Sequence, residues 1–130
     1  MKIVALLEVQ WGIPGQRPSR WFRINPLNHS GRRLIGIIGV PFKVTNACSD
    51  IVYSARGRGT PDPVWLEENL RMLAPDVLIV CGRVARKTFA RHMAPQATVV
   101  RLPHPAARTW SKERIAAAKR RVQKAIINSL

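Results

Sequence analysis

Short, mostly apolar runs alternate along this chain with longer stretches whose apolar residues recur every three or four positions. The short runs are Lys2 to about Val9, Pro41–Asn46, Asp76–Cys81 and Ala97–Leu102. A strand buried on both faces reads this way, because side chains in both directions meet core. Between the first two runs, Ser30 is placed to cap a short helix through Leu34 and Ile38, curtailed by Gly36 and Gly39. Asp62, with Pro63 at the first helical position, opens a helix carrying Trp65, Leu66, Leu70 and Leu73 on one face, and Pro75 stops it. From Gly82 to Met93 the pattern predicts a helix with Val84, Ala85 and Phe89 inward and Arg83, Arg86, Lys87 and Arg91 outward. Ser111 caps a final helix that aligns Ile115, Val122 and Ile126. The Pro-, Gly- and Arg-rich stretch Trp11–Asn28 reads as an ordered loop, and Ser54–Thr60 as a flexible basic one. The alternation of strand and helix predicts an α/β fold, a three-layer α/β/α arrangement around a four-stranded parallel sheet.

Ligands bind such sheets outside the carboxyl ends of the strands. Residues there are the first candidates for chemistry. Asn46 ends the second run; its amide offers both a donor and an acceptor, though Asn is also a common turn residue. Gly82 ends the third run and opens a cationic helix, whose first amides can receive an anion. His104 follows the fourth run between Pro103 and Pro105, which restrict its backbone. Glu8 lies at the end of the first run and is one of two acidic residues before residue 60.

Composition narrows the field. The 130 residues suit one domain spanning 1–130, and 46% hydrophobic content predicts a packed core. Twenty-two Lys and Arg against 7 Asp and Glu leave a net charge of +15, which destabilises a compact chain unless something anionic meets it. The cations are spread over Arg17–Arg33, Arg56 and Arg58, Arg83–Arg91 and Arg101–Lys124, the signature of a basic face on a folded domain. Nucleic acid is the expected partner, since phosphate neutralisation releases counterions; a small substrate needs no such face. Lys43, Arg56 and Arg58 are further phosphate candidates, with Arg83 and Arg101. No run approaches the length of a membrane span, and the short apolar run after Lys2 is not a secretory signal. A cytoplasmic monomer with reduced thiols is expected. Two cysteines cannot hold an iron–sulfur cluster, and His29, His92, His104, Cys48 and Cys81 include no close pair at zinc spacing. No metal or cofactor is expected.

Three segments in order, Val44-Thr45-Asn46, Gly82-Arg83-Val84-Ala85 and His104-Pro105-Ala106, resemble the uracil-DNA glycosylase superfamily, most closely its iron–sulfur-cluster branch. The resemblance spans about Ser30 to Arg121. It implies a DNA glycosylase that extrudes a nucleotide and hydrolyses its N-glycosidic bond. It assigns to His104 a donor aimed at the leaving base, which departs as an anion, and to Asn46 recognition of the base edge. It gives Glu8 the role of general base, with Gln10 or Gln16 as water-positioning alternatives where Pro14-Gly15 sets the alignment. The family stacks an aromatic ring on the base; Phe22 and Trp21 lie in the first long loop, but the Leu27 or Pro26 position matches better by count and is not aromatic, and Trp11, Trp21 and Phe22 also read as local core. Arg108 is expected to clamp a phosphate and fill the gap left by the extruded base. Ala106 stands where the family has Ser, and the cluster cysteines are missing. Two other readings remain: a DNA-binding module that lost hydrolysis, and a nucleoside or nucleotide N-glycosidase.

Overall fold

The computed structural model describes residues 1–13, 15–54 and 57–130. Pro14 and Arg56, both named above, lie outside the described residues. Four strands, β1 (Ile3–Leu7), β3 (Lys43–Asn46), β5 (Val77–Cys81) and β6 (Thr98–Leu102), form one parallel sheet in the order β3-β1-β5-β6. Every residue of β1 and β5 is buried, as expected of central strands covered on both faces.

Side chains alternate between the two faces and divide the core in two. On one face Ala5, Leu7, Val44, Ile79 and Cys81 meet α1 (His29–Ile38) and α4 (Lys112–Asn128) through Leu34, Ile37, Ala118 and Val122. On the other, Val4, Leu6, Leu78 and Val80 meet α2 (Pro63–Leu73) and α3 (Arg83–Thr88) through Leu66, Leu70 and Ala85. The protein is therefore an α/β structure with a four-stranded parallel sheet and helices on both faces.

Local chemistry moves several predicted boundaries. The cap of α1 is Asn28, not Ser30: its side chain accepts from the Gly31 amide at 2.6 Å. Gly31 passes so close to the Asn25 carbonyl that no Cβ fits there. Asp62 caps α2 as expected, accepting from the Trp65 amide at 3.0 Å and from the Ser49 hydroxyl at 2.7 Å. Those two donors hold its carboxyl below the usual carboxylate range.

The helix expected over Gly82–Met93 stops early. α3 ends at Thr88, whose hydroxyl donates to the Val84 carbonyl, a bond that weakens the helical turn around it. Phe89 is then extended, and a 3₁₀ turn follows at Arg91–Met93. This break lets Phe89 and Met93 both enter the second core layer.

The first long loop is less irregular than its composition suggests. β2 (Gln10–Trp11) pairs in parallel with β4 (Ile51–Val52) in a separate two-stranded ribbon. Phe22 exchanges both backbone hydrogen bonds with Val44, at 2.9 and 2.7 Å, adding an antiparallel bridge outside β3. Among the described residues no helix is long and apolar enough to cross a membrane.

Candidate active site at the carboxyl edge of the sheet

The strand order creates one topological switch point. From β1 the chain crosses to β3 on one side, then returns past β1 to β5 on the other. The loops leaving β1 and β5 run to opposite faces, the arrangement beside which open α/β sheets bind ligands. Glu8 follows β1 at that point, and Gly82 follows β5. Asn46 ends β3 and His104 lies two residues beyond β6.

His104 is held by its own loop. The Ala106 amide donates to its Nδ1 at 3.0 Å. An acceptor Nδ1 places the proton on Nε2, which has no hydrogen-bond partner among the described residues. The His104 carbonyl accepts from the Ala107 amide and from the Trp110 indole, each at 2.9 Å. Arg33 of α1 donates to the Pro105 carbonyl at 3.0 Å, and its guanidinium carbon lies 5.7 Å from the Trp110 ring centroid. Trp110 and Arg33 thus fix the loop that carries the imidazole. Gly82 has φ near 90°, and a Cβ there would lie 3.2 Å from that of His104. A side chain at this position would be strained and would press on the imidazole.

Burial pushes the His104 pKa below its ordinary 6.5, and the nearby Glu8 carboxylate opposes part of that shift. The ring is neutral at pH 7, with a proton to donate from Nε2. A histidine whose folded pKa is depressed binds fewer protons folded than unfolded, so its contribution is lost as pH falls below the unfolded value. Stability should therefore decline on acidification through and below about pH 6.5. His104→Gln should flatten that limb of a denaturant-midpoint profile. The Asp62 contribution is lost only below its unfolded value of 3.8, so the two limbs separate.

Asn46 is 1% exposed, and neither its Oδ1 nor its Nδ2 has a hydrogen-bond partner. The other buried polar residues nearby in sequence or in the core are partly or wholly paired: the Thr45 hydroxyl donates to the Arg20 carbonyl at 2.7 Å, and Asn69 of α2 accepts from Arg20 through Oδ1 at 2.7 Å while its Nδ2 has no partner. Register with Leu7 puts Asn46 on the α1–α4 face. An amide buried with both atoms unpaired costs stability. Because both atoms are covered, a ligand reaches them only when a covering segment moves.

Glu8 is half-buried; its carboxylate opposes part of the burial-driven fall at His104 and adds to the rise at Cys48. Its carbonyl accepts from the Cys48 amide at 2.9 Å. The alternatives are engaged elsewhere: Gln10 Oε1 accepts from the Ser19 amide and Gln16 Oε1 from the Ile13 amide. Burial, reinforced at Cys48 by Asp50, Glu8 and Asp62, pushes both thiols up to about 12, so they are neutral and poor nucleophiles. Both cysteines are buried and free. Among the described residues no three His, Cys, Asp or Glu come together as a metal site.

The remaining predicted residues divide. Arg108 is exposed in the loop after His104, and Arg83 and Arg58 are exposed. Arg101 is exposed on the edge strand β6, where its carbonyl accepts from Arg121. Gly82 uses its own amide on the Leu102 carbonyl at 2.9 Å, so that N–H is not open to an anion. Lys43 begins β3 and is exposed at the amino edge of the sheet, the edge opposite Asn46 and His104. Phe22 sits opposite Val44, two residues back from Asn46, half-buried against the core. Trp21 packs against the other core layer.

Asn46 and His104 share the carboxyl edge but not adjacent strands. Three strand spacings separate them, roughly 14 Å across the sheet. A groove of about 740 Å³, lined by Met1, Ile3, Trp21, Phe42 and Met72 at the amino ends of the strands, includes neither residue. No protein-family model matches the chain, and no curated protein matches it.

Proposed function

We propose that this protein is a small DNA glycosylase, with a uracil-DNA glycosylase-like site, that extrudes uracil or a related deaminated or modified base and hydrolyses its N-glycosidic bond. The observation that carries the reading is the wholly unpaired Asn46 amide on the same sheet edge as a neutral His104 with Nε2–H to give. A pyrimidine edge presents a donor and an acceptor side by side, which answers an amide offering one of each. His104 then donates to the base oxygen on which negative charge develops, and needs no reorganisation to do so. Glu8, at the switch point between them, orients the attacking water. Water adds to the anomeric carbon, the C–N bond breaks, the base departs as an anion and the water proton passes to Glu8.

Charge supports the choice of polymer. Among the described residues Arg20 and Arg71 are the arginines that form ion pairs with carboxylates. Most of the 22 cations are thus left for an external anion. Binding should weaken steeply with salt, with a log–log slope of several units. The direct test is chromatography of free base released from oligonucleotides carrying deoxyuridine. Release of uracil supports the reading. DNA binding without release of any modified base would favour the non-catalytic module.

A further inference from the structure

The groove at the amino ends of the strands lies on the edge away from Asn46 and His104 and takes no part in the proposed reaction. Buried Val4 of β1 and Leu73 of α2 line it, with the half-buried rings of Trp21 and Phe42. Ile35, Val40 and Met72 line it too, at 40%, 44% and 54% exposed. These three come from α1, the turn after α1, and α2, so no single helix face explains their meeting. One exposed apolar residue is ordinary, whereas several sharing a concavity rimmed by polar groups mark a binding surface. The volume, about 740 Å³, falls within the range of sites that enclose small molecules.

Charge narrows the ligand. Lys2, Arg23 and Lys43 line the same groove, and among the described residues no Asp or Glu does. The antiparallel bridge between Phe22 and Val44 sets Arg23 opposite Lys43, and Lys43 is in register with Val4. Like charges placed opposite each other are destabilising. Among the described residues the ion pairs are Arg20–Glu68, Arg71–Glu67 and His92–Glu67, so none of the three cations meets a carboxylate. Asp76, just before β5, accepts from the Lys2 backbone amide at 2.7 Å rather than from a cationic side chain. An anionic group on a ligand relieves this repulsion, while the apolar lining covers the rest of the molecule. A second copy of the chain is a poor occupant, because it brings a further +15 to the groove.

We infer that the amino-edge groove binds a small amphipathic acid, with an apolar ring or chain against Trp21 and Phe42 and one anionic group against Arg23 and Lys43. The site is independent of the glycosylase reading, since the two occupy opposite edges of the sheet. Fluorescence titration with anilinonaphthalene sulfonate, beside N-phenylnaphthylamine, which has the same rings without the sulfonate, tests both halves. The sulfonate should bind more tightly than the uncharged amine. Arg23→Gln combined with Lys43→Gln should weaken the sulfonate by roughly threefold to thirtyfold, the range for two partly exposed charge contacts, and leave the amine unchanged. Met72→Gln should weaken both probes by a similar factor. Lys119→Gln combined with Arg120→Gln, exposed cations of α4 outside the groove, should alter neither. All five side chains are exposed, so the fold does not depend on them. Equal binding of the two probes, or the same loss of sulfonate affinity in the α4 pair as in the groove pair, overturns the proposal. Sulfonate affinity that falls as protein concentration rises would make a second copy the occupant and overturn it too. Competitive displacement of the sulfonate by duplex DNA would make the groove a nucleic-acid surface, again against the proposal.

Discussion

Asn46→Leu is expected to make the protein more stable and, at the same time, to abolish its choice among bases. Leucine has the same number and branching of side-chain heavy atoms as asparagine. It removes a donor and an acceptor that are buried without partners. Relief of that penalty is worth about 1–3 kcal/mol. The proposed reading gives that unpaired amide its partner only when a base is bound. Chemical denaturation should show a higher midpoint with an unchanged m-value. Rates on oligonucleotides carrying different modified bases should converge to a common low value. A variant that is less stable, or equally selective, would show that Asn46 is satisfied in the resting fold and has no part in recognition.

His104→Ala is expected to slow base release by roughly a hundred- to a thousandfold, the usual consequence of losing one preorganised donor at a developing oxyanion. DNA affinity should change little, because the imidazole is half-buried, neutral and remote in role from the phosphates. The loop should survive the substitution. The substitution takes the Nδ1 acceptor from the Ala106 amide, but the bonds to the His104 and Pro105 carbonyls remain, with Trp110 and Arg33 as donors. Single-turnover release measured beside equilibrium binding checks both halves. A comparable fall in rate and affinity would place His104 in binding alone.

The parallel sheet was legible because its strands are buried on both faces. Val77-Leu78-Ile79-Val80-Cys81 has no polar residue, and each of the five is buried in the sheet. The start of α2 was equally clear, since Asp62-Pro63 combines a side-chain cap with a residue that needs no amide. The start of α1 was not. Asn28 and Ser30 are both good caps, and the choice falls to Asn28 because Gly31 must approach the Asn25 backbone. Periodicity could not reveal the end of α3, because Val84, Ala85 and Phe89 fit a helix running on to Met93. Two-residue strands such as β2 and β4 carry no period at all, and their pairing depends on segments some forty residues apart.

For the site, the strand ends could be read but their order could not. Alternating strands and helices put Glu8, Asn46, Gly82 and His104 at one edge. They do not say that β3 and β6 are the outer strands, which sets Asn46 and His104 apart with Glu8 and Gly82 between them. Lys43 opens β3, so it stands at the opposite edge of the sheet from Asn46, which ends the same strand. The supports of His104 had no signal in the sequence: Arg33 and Trp110 meet it only through the packing of α1 on the loop before α4.

The central claim is that the carboxyl edge excises a base. Its most direct measurement uses end-labelled oligonucleotides, each with one modified base, incubated with the protein and then treated with alkali to cleave abasic sites. The account predicts strand scission at the position of uracil or a related pyrimidine with wild type, and scission slowed roughly a hundred- to a thousandfold with His104→Ala. Intact strands for every base, with DNA bound equally by both proteins, would contradict it and leave a binding module on the same fold.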